Sequence, residues 1–127
     1  MDLIDQQFED VKKVFSRTTP KLERRPDNTS VIEIPDFPLP RGWSASTTSI
    51  LFVLPANYPH GKPDCFWADA SLKLASGQPP ANSSPNNNYG GPDQRLWFSW
   101  HASSWNPNTD SLLTYVSVVR RRLQDPR

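Results

Sequence analysis

Prolines set the tightest limit on what this chain can fold into. Fourteen stand among its 127 residues, and most fall in three clusters: Pro35, Pro38 and Pro40; Pro55, Pro59 and Pro63; Pro79, Pro80 and Pro85. Each proline fixes φ and removes a backbone donor, so neither a helix nor a central strand should run through a cluster. Regular structure is therefore expected in the stretches between them.

Those stretches carry clear periodicities. Ile4, Phe8, Val11 and Phe15 fall at i, i+4, i+7 and i+11 with polar residues between them, which predicts a one-faced helix from about Asp2 to Arg17. Val31, Ile32 and Ile34 predict a short strand closed by Pro35, and the run from Pro35 to Trp43 reads as a connection. Ser49 to Leu54 is almost continuously apolar and is the expected central strand, ended by Pro55. A further short strand should begin at Cys65-Phe66-Trp67, and residues 75 to 93, rich in Gly, Pro, Ser and Asn, predict a long loop, of a length uncommon in a compact domain unless it is functional or mobile. Leu96 to His101 then alternates, so that an extended chain would place Leu96, Phe98 and Trp100 on one face and Trp97, Ser99 and His101 on the other. Leu112, Val116, Val119 and Leu123 predict a second helix, with Asn108 or Asp110 to cap it and Arg120 to Arg122 meeting its dipole in the last turn. No internal repeat is visible, and the length suits one α+β domain spanning 1–127.

Charge and cysteine usage narrow the function. Fourteen basic and thirteen acidic side chains leave a net charge of +1, which gives no broad attraction to nucleic acid or to an anionic membrane, so any partner must be recognised locally. No segment approaches the roughly 20 apolar residues of a membrane span, and the N-terminus lacks a signal-peptide pattern, so a cytoplasmic location is expected. One cysteine excludes an internal disulfide, and with only His60 and His101 beside it, no metal site is expected.

Three motifs organise the rest: Leu54-Pro55-Ala56-Asn57-Tyr58-Pro59, then Lys62-Pro63-Asp64, and much later Trp105-Asn106-Pro107 ahead of an apolar helix. Their order resembles the ubiquitin-conjugating fold over nearly the whole chain. Asp64 to Asp69, Leu72 to Gly77 and Phe98 to His101 are similar to a bacterial branch of that superfamily, the prokaryotic family E conjugating-like proteins. The resemblance implies a minimal α+β fold: an antiparallel sheet flanked by an N-terminal and a C-terminal helix, without the two further helices of larger members. It also implies a part in bacterial ubiquitin-like conjugation, with a ubiquitin-like protein and an ATP-using activating enzyme as partners and no cofactor of its own. Lys12, Lys13 and Arg17 on the first helix resemble the surface that meets the activating enzyme, although such charges are as readily a solvated face.

The resemblance fails at the thiol. The family's catalytic cysteine lies about eight residues before the tryptophan, where this chain has Trp97, and the His-Pro-Asn triplet is missing. Ser99, six residues before Trp105, is the leading replacement, with His101 as its general base and an oxyester as the product. Ser103 and Ser104 are further hydroxyls near Trp105, and Cys65 reads mainly as a packed thiol. Asn106 and Asn86 to Asn88 are possible oxyanion donors but commoner as turn formers. The rival reading is a catalytically inactive module that binds a ubiquitin-like protein or its activating enzyme.

Overall fold

A computed structural model describes residues 1–127. In chain order the elements are α1 (Leu3–Val14), β1 (Lys21–Arg24), β2 (Ser30–Pro38), β3 (Thr47–Leu54), β4 (Phe66–Ala68), β5 (Ser83–Asn86), β6 (Arg95–Phe98) and α2 (Leu112–Leu123). All strand pairs are antiparallel, in one sheet ordered β1-β2-β3-β4-β6-β5. The apolar run Ser49 to Leu54 does lie at the centre, in β3.

The two-residue repeat of the strands sorts their side chains. Ile32, Ile34, Ile50, Phe52, Leu54, Phe66 and Phe98 face one way, and Phe8, Val11 and Phe15 of the first helical segment pack over them with Leu112, Tyr115, Val119 and Leu123 of α2. Both helices thus cover the same sheet face. The predicted stripes are the ones buried, since Val11, Leu112 and Val119 are wholly inaccessible. Val31, Leu51 and Trp67 face the other way and are covered by Tyr89. A cleft of about 760 Å³ opens on that side, bordered by Arg25, Glu33, Tyr89 and Arg95.

Helix ends follow local chemistry. Asp2 caps α1 by accepting from the Asp5 amide at 2.9 Å, and Phe15, at φ −108° and ψ 47°, leaves helical geometry, so α1 stops short of the expected Arg17. Ser111, not Asn108 or Asp110, is the N-cap of α2, and its amide donates to Thr114 Oγ1 at 3.0 Å. Asp110 is instead drawn into the preceding turn, its carboxylate accepting from the Asn106 amide at 2.6 Å.

Two expectations drawn from proline fail for one reason. The segment after Ile34 is not merely a connection, because β2 continues through Pro35 to Pro38, with an irregularity between Ile34 and Phe37 and Asp36 at φ 55°. Its pairing with β1 ends at Glu33, so beyond that point one side of β2 is an edge, where a missing donor is tolerated. Likewise the loop over 75–93 contains β5, an edge strand that carries Pro85.

Candidate active site

The turn motif and the tryptophan motif meet in space. Trp105 Nε1 donates to the Pro59 carbonyl at 2.8 Å, its ring lies 6.1 Å from that of Tyr58, and Lys62 Nζ donates to the Ala102 carbonyl at 3.2 Å. The Tyr58–Pro59 bond is cis. Tyr58 donates to Gln7 Oε1 at 2.5 Å, and the same oxygen accepts from the Leu112 amide at 3.1 Å, so one side chain of α1 ties the turn to the start of α2. Tyr58 is accordingly a packed hub; burial pushes its hydroxyl pKa up, with the Asp110 charge adding to the shift. Gly61 sits so close to Asn57 that a Cβ there would lie 2.1 Å from Asn57 Oδ1.

These ties position the segment that follows β6. Phe66 pairs with Phe98, Trp67 with Trp97 and Ala68 with Leu96, and regular pairing then stops. The Ser99 amide donates to the Asn82 carbonyl at 2.8 Å, whereas the Cys65 amide donates to the Trp100 carbonyl at 3.1 Å. Residues 99 to 101 are therefore outside the strand, and Ser99 and His101 do not share a strand face as expected. His101 Nδ1 is hydrogen-bonded to the Asp64 carboxylate, and no hydrogen bond joins it to Ser99. Both partners of that bond are about half exposed, so the imidazole is oriented yet reachable. A shallow recess of about 230 Å³ beside it is lined by Trp100, His101, Ser103, Val118 and Arg121.

Cys65 joins the pair. Its Sγ, a ring nitrogen of His101 and a carboxylate oxygen of Asp64 all lie within 4.8 Å of one another. Cys65 is half-buried with φ at 66°, a left-handed conformation that costs a non-glycine residue about 1–2 kcal/mol and tends to occur where the surroundings require it. Partial burial pushes its thiol pKa up, and the Asp64 charge adds to the shift despite a hydrogen bond from backbone at Trp100. Neither Lys62 nor His60 acts to lower it.

Other candidates resolve simply. Ser103 and Ser104 are exposed in the loop after His101. Asn86 Oδ1 accepts from Trp67 Nε1 at 2.8 Å and from the Asn88 amide at 3.1 Å, and Asn106 Oδ1 accepts from the Asn108 amide at 2.9 Å, so these asparagines shape turns. All five tryptophans are buried or half-buried. The part of Asp64 as partner of His101 is hidden in the sequence because 37 residues separate the two. The signal that could have found it is the similarity of the two aromatic runs, Phe66-Trp67-Ala68 and Leu96-Trp97-Phe98, which pair and bring their flanks together.

The antiparallel sheet with both helices on one face, the Tyr-Pro turn stapled to the Trp-Asn-Pro segment, and the polar cluster beside them define a minimal ubiquitin-conjugating-like α+β fold. The chain belongs to prokaryotic E2 family E, whose sequence profile matches residues 8–126. That membership places it in ubiquitin-like protein conjugation, and so in company with a ubiquitin-like protein and its activating enzyme. Comparison with curated proteins and with solved structures gives no match. No helix is long and apolar enough to cross a membrane.

Proposed function

We propose that this protein receives the activated C-terminus of a ubiquitin-like protein as an oxyester on Ser99 and passes it to an amine. The observation that carries the reading is the hydrogen bond between His101 Nδ1 and Asp64, which leaves Nε2 as the basic nitrogen and places a carboxylate where it stabilises an imidazolium. A serine hydroxyl is a weak nucleophile without a base, and His101 is two residues away on a segment already free of the strand. Ser99 Oγ attacks the acyl carbonyl carbon as its proton passes to His101, and collapse of the tetrahedral adduct expels the group that held the acyl chain on the activating enzyme. That leaving group takes the proton from His101, and in the second half the amine attacks the oxyester, its proton passes to His101, and Ser99 Oγ leaves with that proton. Asp64 is a positioning residue throughout.

A second acceptor is favoured by one observation, the Cys65 thiol within 4.8 Å of the same His–Asp pair. Against it stands its raised pKa, which keeps it a thiol at neutral pH. A non-catalytic binding module is the reading that remains if neither group is acylated.

Mass spectrometry of the protein incubated with a cognate activating enzyme, its ubiquitin-like protein and ATP separates all three. An adduct that resists reductant, is cleaved by mild alkali and is lost in Ser99→Ala supports the oxyester. One cleaved by reductant and lost in Cys65→Ser transfers the role to Cys65, and complex formation with no adduct overturns acyl transfer.

A further inference from the structure

We propose that Asp64, Cys65 and His101 bind a divalent cation of the zinc class, through one carboxylate oxygen, one imidazole nitrogen and one thiolate sulfur. Two chain segments supply the donors, the approach to β4 and the exit from β6, and the Cys65 amide bond to the Trp100 carbonyl fixes one segment against the other. The three donor atoms already lie within 4.8 Å of one another. Tetrahedral zinc, with bonds of about 2.0–2.3 Å, needs its donors roughly 3.3–3.6 Å apart. Asp64 and His101 are each about half exposed, so rotation of their side chains can make the adjustment while the backbone stays in place.

The donor set selects the ion. Magnesium and calcium take oxygen ligands, and a sulfur and an imidazole in a set of three disfavour both. Sulfur, nitrogen and one carboxylate suit zinc and its spectroscopic substitute cobalt. Three protein ligands also leave a fourth position for water or a substrate atom. The left-handed conformation of Cys65, φ 66°, acquires a purpose here, because it is where the chain turns into β4 and brings consecutive residues, Asp64 and Cys65, to the same imidazole.

Binding of the ion goes beyond acyl transfer and does not rest on it, whereas its consequence for His101 rests on the proposed role of that residue as a base. An ion bound to His101 takes up a lone pair of the imidazole and so silences it as a base. The metal-loaded protein would be the resting form of the site, and removal of the metal would free the base.

The test uses the purified full chain with Co²⁺ alone, followed by displacement with Zn²⁺, and needs no conjugation partner. Expected is one equivalent of Co²⁺ giving a thiolate-to-cobalt charge-transfer band that Zn²⁺ abolishes. Cys65→Ser should remove the band, His101→Ala should weaken binding about tenfold or more, and His60→Ala should change neither. His101 is exposed, so its variant stays informative if Cys65→Ser folds poorly, which circular dichroism would reveal. Absence of a charge-transfer band at saturating Co²⁺ overturns the proposal, as does binding of equal strength in wild type and His101→Ala. Both results are independent of whether Ser99 carries an acyl group.

Discussion

Gln7 joins three parts of the fold through a single oxygen, and Gln7→Ala should expose the cost of losing it. Oε1 accepts from the Tyr58 hydroxyl and from the amide of Leu112, whose residue is wholly inaccessible. Tyr58 itself is 9% exposed, so neither donor can readily turn to water. A buried donor left without a partner costs about 1–3 kcal/mol. Two such donors, with a few tenths returned by alanine's higher helix propensity, give a net loss of about 1.5–5.5 kcal/mol. In urea unfolding with a slope of about 2 kcal/mol per molar, the midpoint should fall by about 1–3 M with the slope unchanged. Gln7→Glu keeps the acceptor and should recover most of the loss, less the repulsion from Asp110, whose charge already acts on Tyr58. In a Tyr58→Phe background one donor is gone, so the same alanine substitution should cost about 1–3 kcal/mol less. A Gln7→Ala protein within about 0.5 kcal/mol of wild type, the range of an ordinary surface change, would mean that both donors find other partners and that Gln7 is no tie between the turn and α2.

Gly61→Ala should destabilise the Tyr-Pro turn because its Cβ would meet Asn57 Oδ1 at 2.1 Å and Pro55 Cγ at 2.9 Å. Thermal melts should show part of the loss restored by Asn57→Ala in the same chain, whereas an unchanged melting point in the single variant would contradict the crowding. Alkylation of Cys65 by iodoacetamide should be slow at neutral pH and rise with a midpoint above that of a cysteine in an unfolded peptide, since burial and Asp64 push the thiol pKa up. Asp64→Asn should lower that midpoint; a wild-type midpoint below the peptide's would identify an activated thiol. The Asp2 carboxyl is held well below the usual range by Arg24 at 2.7 Å and by the Asp5 amide. Its stabilising effect is thus whole above the ordinary carboxylate value, about pH 4, and is lost as pH falls toward the depressed one. NMR titration of that carboxyl in Arg24→Ala should show its pKa rise, and an unmoved value would remove Arg24 as the cause.

Periodicity exposed what periodicity governs. The i, i+4, i+7 stripes of both helices are buried as read, apart from a half-buried Ile4 at the start of the first, because a helix facing a sheet has little freedom to bury another face. Ser49 to Leu54 proved central for a related reason: its apolar residues point both ways, so both faces had to be covered. Proline was the misleading signal, since its cost depends on whether the side it faces carries a neighbour, and that is a property of the sheet rather than of the segment. Pro35 and Pro85 sit in strands on those terms. Alternation put Ser99 and His101 on one strand face, and that reading fails because β6 ends at Phe98. The partner that orients His101 is Asp64, and only the pairing of β4 with β6 brings it within reach.

The margins of the sheet also decide how this protein can meet another. At one border stands β1, four residues long and mostly charged; where β1 gives out, β2 shows Pro35 and Pro38; at the far border β5 carries Pro85. Growth by strand addition requires a row of free donors and acceptors, and these borders offer short, interrupted or charged ones. A second chain therefore finds only a poor template for a seventh strand, and self-association into extended β assemblies is disfavoured. Recognition of other proteins is left to helix faces and loops, whose side chains can change without disturbing a backbone ladder.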